Sequence, residues 1–205
     1  MPRIAEDRAG AEPTSPRQRA RRQSILKVAA DIAASTGLER VQMHEVAKSA
    51  GVAIATLYRY FPSKTHLFTA LMADQIEGFA ARVPDRAPDT PPEDAVFETL
   101  GSATRNLLRR PALATAMIQS ANAARASTVP DLTRIDSGFI DVLLRAWGVE
   151  EPTDHHITRL RLRLLILLWY GVLQSRLNQR ITPQDADADL RMACHLLLAP
   201  EPAAG

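Results

Sequence analysis

Hydrogen-bond donors cluster in one short stretch of the sequence, at Thr56, Tyr58, Arg59 and Tyr60. Hydroxyl and guanidinium groups of this kind bind phosphates and the edges of bases. They fall on a short predicted helix whose apolar residue Leu57 points the opposite way. The stretch therefore indicates contact with nucleic acid, provided that the chain presents this helix on its surface.

The residues around this stretch have the spacing of a helix-turn-helix. Ala47 is small where the first helix must let the second cross closely, and Leu57 is the apolar residue that buries the second helix. Gly51 lies between them at the turn, where a positive φ costs little only for glycine. Such a motif places its second helix in a DNA major groove. The same spacing is common in helical hairpins that bind nothing, so by itself it leaves both interpretations open.

The residues that close the motif decide between them. From Leu57 to Lys64 the chain reads LYRYFPSK: an aromatic pair, a Phe-Pro break and a lysine that starts the next helix. The longer segment from Gly37 to Met72 resembles the signature of TetR-family transcriptional regulators, GLERVQMHEVAKSAGVAIATLYRYFPSKTHLFTALM. The resemblance implies a dimer that binds operator DNA with an N-terminal three-helix head and releases it when a small molecule enters a C-terminal helical body.

The resemblance also implies which residues contact DNA. Carried over to this sequence, the positions are Gln42, Met43, His44, Ile54, Ala55, Thr56, Tyr58, Tyr60 and Lys64. This chain departs from the family at four of them. Gln42 and Met43 stand where many members have hydroxyl residues, and Ile54 and Ala55 present aliphatic surface where others have polar groups. Aliphatic side chains suit thymine methyl groups, so hydrogen bonds to bases must come from elsewhere, and Arg59 is the candidate.

Charge is distributed unevenly along the chain. Residues 1–64 carry 11 basic and 6 acidic side chains, whereas residues 65–205 carry 14 basic and 17 acidic ones. A basic module on an acidic body is typical of a DNA-binding head joined to a regulatory domain. Arg17, Arg19, Arg21 and Arg22 add to the basic end, either as a solvated run or as contacts to phosphates or the minor groove.

Periodicity of apolar residues predicts an all-α fold of about nine helices. The predicted helices cover about 18–35, 43–50, 54–60, 64–82, 93–109, 112–123, 132–147, 154–178 and 183–198. Residues 1–16 lack periodicity and are expected to form a disordered arm. Residues 17–63 are expected to form the helix-turn-helix DNA-binding domain, and residues 64–205 the ligand-binding and dimerisation domain.

The eighth predicted helix contains an unusual apolar run, LLILLWYGVL, from Leu164 to Leu173. A helix that is apolar on all sides must be covered on all sides. Because the body supplies about five other helices, we expect a second subunit to provide part of that cover. Helices 8 and 9 are therefore predicted to pair with their symmetry mates in a homodimer.

Other features of the sequence predict a cytoplasmic protein. The apolar run from Leu164 to Leu173 is about half as long as a membrane span requires, so no membrane partner is expected. The N-terminus does not resemble a signal peptide. A single cysteine, Cys194, excludes an internal disulfide and suits a reducing compartment.

Motifs for catalysis or metal binding are missing from the sequence, which has no G-x-S-x-G elbow, Gly-rich phosphate loop or H-E-x-x-H. His155 and His156 are adjacent, so they diverge on a helix and do not share a metal. Asp185, Asp187 and Asp189 resemble the start of a calcium loop, but the glycine and glutamate that such a loop needs are replaced by leucine. The sequence predicts no catalytic residues, no metal and no cofactor, and it disfavours an enzyme.

The effector class follows from the resemblance. Within the family the pattern looks most like actinobacterial repressors of cholesterol catabolism, which respond to a steroid-derived coenzyme A thioester. A hydrophobic effector is therefore implied, either a steroid or a fatty acyl coenzyme A thioester. Candidates for lining its pocket, each more readily explained by ordinary core packing, are Phe97, Met117, Phe139, Trp147, Trp169 and Tyr170. The alternatives are a DNA-binding regulator without an effector and, less favoured, a small helical enzyme.

Overall fold

A computed structural model describes residues 10–125, 132–149 and 155–199 of the chain. Within these ranges it is helical and contains no strand, which confirms the predicted all-α class. The helices are α1 Pro16–Thr36, α2 Met43–Ser49, α3 Ile54–Tyr60, α4 Lys64–Ala80, α5 Pro92–Leu108, α6 Pro111–Arg125, α7 Leu132–Trp147, α8 His155–Leu177 and α9 Pro183–Leu198, with a 3-10 turn at Leu38–Arg40. None of these helices is long and apolar enough to cross a membrane.

The chain divides into two compact units. The head unit consists of Met1–Glu77 and Arg110–Asp136, and the body unit of Gly78–Arg109 and Ser137–Gly205. Residues 17–63, predicted as the DNA-binding domain, lie within the head unit. Most of α4 and all of α6 belong to it as well, although the sequence had suggested that they belong to the body. The predicted functional boundary at residues 63 and 64 stays a prediction.

Helix α6 joins the head unit because it packs against α1 and the 3-10 turn. Arg110, which precedes α6, donates from Nη2 to the Asp31 carboxylate at 2.7 Å and to the Ala30 carbonyl at 3.2 Å. Both partners are about 80 positions away along the chain. Local periodicity carries no information about a contact of that kind, so the sequence did not predict it.

The helix-turn-helix has the geometry that its spacing predicts. Leu57 is fully buried and Ala47 nearly so, which allows α2 and α3 to cross closely. Gly51 has a φ of 65°, in the left-handed region, and the Val52 amide donates to the Ala47 carbonyl at 3.0 Å. The predicted roles of all three motif residues are confirmed.

The expected disordered arm is not what the structure shows for residues 10–16. Helix α1 already begins at Pro16, and the Ser15 side chain caps it by accepting from the Gln18 amide at 3.3 Å. The Gln18 side chain in turn accepts from the Thr14 amide at 2.8 Å. These bonds satisfy backbone groups that a helix start leaves without partners. Residues 1–9 of the predicted arm lie outside the described residues.

In the body unit, α8 packs against α5 and α9. Trp169 of α8 stacks on Phe139 of α7, with ring centroids 4.9 Å apart, and its indole Nε1 donates to Thr104 Oγ1 at 2.8 Å. The start of α9 is fixed by a capping box in which the Asp185 amide donates to the Thr182 hydroxyl and the Thr182 amide donates to the Asp185 carboxylate. The Thr182 hydroxyl also donates to that carboxylate, at 2.7 Å. These bonds hold the pKa of Asp185 below its ordinary value. Asp185 thus has a structural role.

The positive φ of Gly51 leads to a stability prediction. We expect Gly51→Ala to lower the free energy of unfolding by about 1–2 kcal/mol, because an L-residue is strained in the left-handed region. Gly78→Ala is the matched control, since Gly78 lies within α4 and an added Cβ would meet only Arg82 Nη1, at 3.8 Å. The control should be neutral or stabilising. Urea unfolding measures the free energy of unfolding of both variants. An equal loss of stability at the two sites would contradict the role of Gly51.

Candidate nucleic-acid interface

Helix α3 buries one side and exposes the other. Leu57 and Tyr60 are 0% and 4% exposed, whereas Ile54 and Tyr58 are 41% and 47% exposed. Arg59 is exposed beside them. We call the exposed residues Ile54, Ala55, Tyr58 and Arg59 the reading surface of α3. It combines aliphatic, aromatic and guanidinium groups, which together can contact thymine methyl groups and the acceptor atoms of guanine.

Tyr60 contacts Arg59 from beneath this surface. The Arg59 guanidinium lies 5.1 Å from the centre of the Tyr60 ring, and its Nη2 donates to the Tyr60 hydroxyl at 3.4 Å. A cation over an aromatic face is attracted to it, so the buried ring restrains the arginine. The sequence predicted Tyr60 as a DNA contact, but its burial favours a supporting role for the ring.

The predicted contact positions before the turn also separate by burial. Gln42 and His44 are exposed at the start of α2, whereas Met43, between them, is buried. A buried thioether in this arrangement packs the head and does not face a ligand. Gln42 and His44 therefore stay predicted DNA contacts, and Met43 joins Tyr60 in the layer that supports the interface.

Lys64 makes a hydrogen bond within the head unit that the sequence did not indicate. Its ammonium group donates to the Leu38 carbonyl at 3.1 Å, and the residue is half-buried. This bond ties the first residue of α4 to the 3-10 turn that precedes α2. An ammonium group has three donors, so Lys64 can hold the turn and still bind a phosphate.

Two further contacts hold the end of α3, and neither was predicted from the sequence. The Arg22 guanidinium lies 5.5 Å from the centre of the Phe61 ring, a contact that was not among the interpretations of the basic run. The backbone amide of Ala11 donates to the Arg59 carbonyl at 2.8 Å. Residue types give no signal for either contact, because each joins segments that are 39 or more positions apart in the chain.

The candidate pocket residues are divided between the two units. Met117 belongs to the head unit, and the other five belong to the body unit. Phe139 and Trp169 stack on each other, while Phe97 lies under the Arg191 guanidinium, 4.0 Å from its ring centre. Phe139, Trp169 and Phe97 are buried, and Trp147 and Tyr170 are half-buried. Their role in binding an effector stays a prediction.

A pocket of about 510 Å³ lies between α5 and α9 in the body unit. It is lined by Glu93, Asp94, Phe97, Ala188, Arg191, Met192, Cys194 and His195. Arg191 pairs with Asp94 at 3.3 Å, so a charged pair lies beside the apolar side chains of the lining. Burial raises the pKa of the Cys194 thiol to about 12, which keeps it neutral and unreactive. Among the described residues no group of three or more His, Cys, Asp or Glu side chains could hold a metal.

Both the N-terminal and the C-terminal part of the chain match known protein families. Residues 25–71 match the family described as bacterial regulatory proteins, tetR family, and residues 90–197 match the tetracyclin repressor-like C-terminal domain. The chain belongs to the TetR family. The helix-turn-helix is therefore the DNA-binding motif of a transcriptional regulator, and the resemblance found in the first third of the sequence extends through the body.

Individual relatives match over nearly the full length. The HTH-type transcriptional repressor KstR of Mycolicibacterium smegmatis is 34% identical over 97% of this chain and 95% of its own. A TetR transcriptional regulator from Rhodococcus sp. RHA1, known from a crystal structure, is 53% identical with a TM-score of 0.80, covering 89% of this chain and 97% of its own. The regulator FadR of Bacillus subtilis, solved in complex with stearoyl-CoA, is 19% identical with a TM-score of 0.61 over 86% of this chain and 97% of its own, and shares the fold alone.

The different surroundings of Arg59 and Lys64 predict different binding defects. Arg59→Ala should weaken binding to the preferred operator by about 1–3 kcal/mol and relax the preference at one base pair, because a base contact is lost. Lys64→Ala should weaken binding to all duplexes alike and lower the salt slope by about one. Fluorescence anisotropy at several salt concentrations measures both. Equal losses on all duplexes for Arg59→Ala would place that side chain on a phosphate.

Proposed function

We propose that the chain is a dimeric transcriptional repressor that binds two-fold symmetric operator DNA and is released by a hydrophobic small molecule. The observation that carries the DNA-binding part is the exposed reading surface of α3, held by the buried Leu57 and Tyr60 in a chain of the TetR family. Because the relatives are regulators, we infer a regulator and not an enzyme.

The reading surface supports a mixed mode of recognition. Ile54 and Ala55 at the start of α3 present methyl groups, which suit thymine in the major groove. Arg59 at the other end can bind the O6 and N7 atoms of a guanine. The exposed Gln42 and His44 of the preceding helix, with Lys64, supply contacts to phosphates that fix the position of the head on the duplex.

A row of exposed apolar residues on α8 supports the dimer. Leu164, Leu167, Leu168 and Gly171 recur at helical spacing and are all exposed, with Leu167 at 62%. Met192 and Leu196 of the adjacent α9 are also exposed. We call these six residues the α8–α9 apolar face. The four residues on α8 are the part of the apolar run that the body unit leaves exposed.

A second copy of the chain is the occupant that fits this face best. A two-fold interface uses the same surface on both subunits, so an apolar face of this kind can cover itself. The symmetry would also place two recognition helices on successive turns of the duplex, about 34 Å apart or a small multiple of that distance. Homodimerisation through α8 and α9 therefore links the body to the DNA-binding function.

A charge in the apolar face tests the dimer. We expect Leu167→Glu to shift the protein to a monomer at micromolar concentration, because two carboxylates would be buried against apolar surface. Ser102→Glu is the matched control, since Ser102 is exposed on α5 outside the face. Sedimentation velocity measures both variants. A monomeric wild-type protein, or an unchanged dimer in Leu167→Glu, would contradict this interface.

The effector part of the proposal rests on the relatives and on α4. FadR of Bacillus subtilis, which has the same fold, was solved with stearoyl-CoA, a hydrophobic thioester with an acidic head. Helix α4 supplies residues to both units and has neither proline nor glycine between Lys64 and Gly78. A displacement at one of its ends is therefore transmitted to the other. Its Asp74 accepts a hydrogen bond from Gln23 of α1 at 2.5 Å, which couples α4 to the head.

Titration of the protein–DNA complex tests this part. We expect steroid or fatty acyl coenzyme A thioesters to weaken operator binding about a hundredfold, which requires roughly 2.7 kcal/mol of differential affinity between the two forms of the protein. Free coenzyme A is the control, since it has the acidic head without the hydrophobic tail. If no thioester changes the operator affinity, the regulator without an effector becomes the better account.

A further inference from the structure

The segment that precedes α1 contacts the end of the recognition helix. The amide of Ala11 donates to the carbonyl of Arg59, and the two atoms are 2.8 Å apart. Arg59 lies in the last turn of α3, where helix carbonyls have no partner within the helix. One of these carbonyls is thus satisfied by a residue 48 positions earlier in the chain.

Gly10 makes the close approach possible. A Cβ added to this residue would lie 2.0 Å from the carbonyl oxygen of Tyr60 and 3.6 Å from Cδ of Pro62. The first contact is with backbone and cannot be relieved by rotation of a side chain. Any residue other than glycine would therefore push the segment away from the end of α3.

The segment is anchored at its other end as well. Thr14 and Ser15 are bonded to Gln18 in the first turn of α1, which sets the direction in which the chain leaves the helix. Further along α1, Arg22 lies over the ring of Phe61, directly after α3. The stretch from Arg59 to Pro62 is thus held from α1 and from the residues before it.

We propose that residues 10–15 form a positioning segment that fixes the C-terminal end of the recognition helix. Helix α3 has seven residues, too few to be stable by itself, so its last turn depends on outside contacts. That turn carries Tyr58 and Arg59 of the reading surface. Holding the Arg59 backbone sets the direction from which its guanidinium approaches a base.

The role in DNA recognition rests on the proposed function, whereas the contact itself does not. Two kinds of measurement therefore separate the failure of one from the failure of the other. The variants are Ala11→Pro, which removes the amide donor, and Gly10→Ala, which introduces the clash. Ala11→Ser is the matched control, because it keeps the amide and Ala11 is exposed.

Amide hydrogen exchange by NMR tests the contact without DNA. We expect the Ala11 amide of the wild-type protein to exchange about tenfold more slowly than in an unfolded chain, as one net hydrogen bond allows. In Gly10→Ala this protection should disappear. In both Gly10→Ala and Ala11→Pro the Phe61 amide, which donates to Leu57 within α3, should exchange faster than in wild type. An Ala11 amide that exchanges at the unfolded rate in wild type would overturn the proposal.

Binding to two duplexes tests the role in recognition. The first duplex is selected by the wild-type protein from a random-sequence library, and the second is a scrambled sequence of the same length. We expect Ala11→Pro and Gly10→Ala to bind the selected duplex about five- to tenfold more weakly, and the scrambled duplex and the thermal unfolding midpoint to change little. Ala11→Ser should behave as wild type.

Three other results of these binding experiments would count against the proposal or against the proposed function. Equal losses on both duplexes would mean that the segment contributes to general phosphate binding or to stability and does not position α3. Undiminished binding by both variants would mean that the contact is incidental. If the wild-type protein selects no duplex, the proposed function fails, and the exchange of the Phe61 amide alone decides whether the segment holds α3.

Discussion

A helix of seven residues does not stay folded by itself in water, because the cost of starting a helix exceeds what two turns return. Helix α3 is of this length, and its order depends on the burial of Leu57 against α2. Gly51 provides the sharp turn that brings Leu57 into place. The contacts from Lys64 to the 3-10 turn and from Ala11 to the end of α3 then fix the segments around it. Much of the head unit can be understood as support for this one short helix.

The same division between buried and exposed sides occurs on a larger scale in α8. Leu165 and Leu173 are buried in the body unit, while Leu164, Leu167 and Leu168 stay exposed. In α3 the exposed side is mixed in chemistry and suits the grooves of DNA. In α8 the exposed side is apolar and suits a second copy of itself. In the proposed function the two surfaces have different partners, and a symmetric dimer is the arrangement that would use both at once.

Sequence patterns predicted what depends on local spacing. The helices, the roles of Ala47 and Gly51, and the apolar plug Leu57 all follow from periodicity and from steric rules that act within a few residues. The helix boundaries also agree with the predicted ones to within about two residues, as the turns and caps are encoded beside them.

Contacts between distant segments were not predictable in this way. The packing of α6 on α1, the bond from Ala11 to Arg59 and the burial of Tyr60 each depend on where remote parts of the chain meet. The apolar character of Phe97 was recognised, but its position beneath Arg191 at the pocket between α5 and α9 was not. Residue type indicates that a side chain will be buried. Which neighbour packs against it is determined by the tertiary structure.

Selection of duplexes from a random-sequence library by the full-length protein tests the account most directly. It predicts enrichment of a two-fold symmetric sequence whose half-sites are centred one helical turn or a small multiple apart, since a symmetric dimer must place two copies of α3 in the major groove. Enrichment of a single asymmetric site, or of no sequence at all, would contradict it.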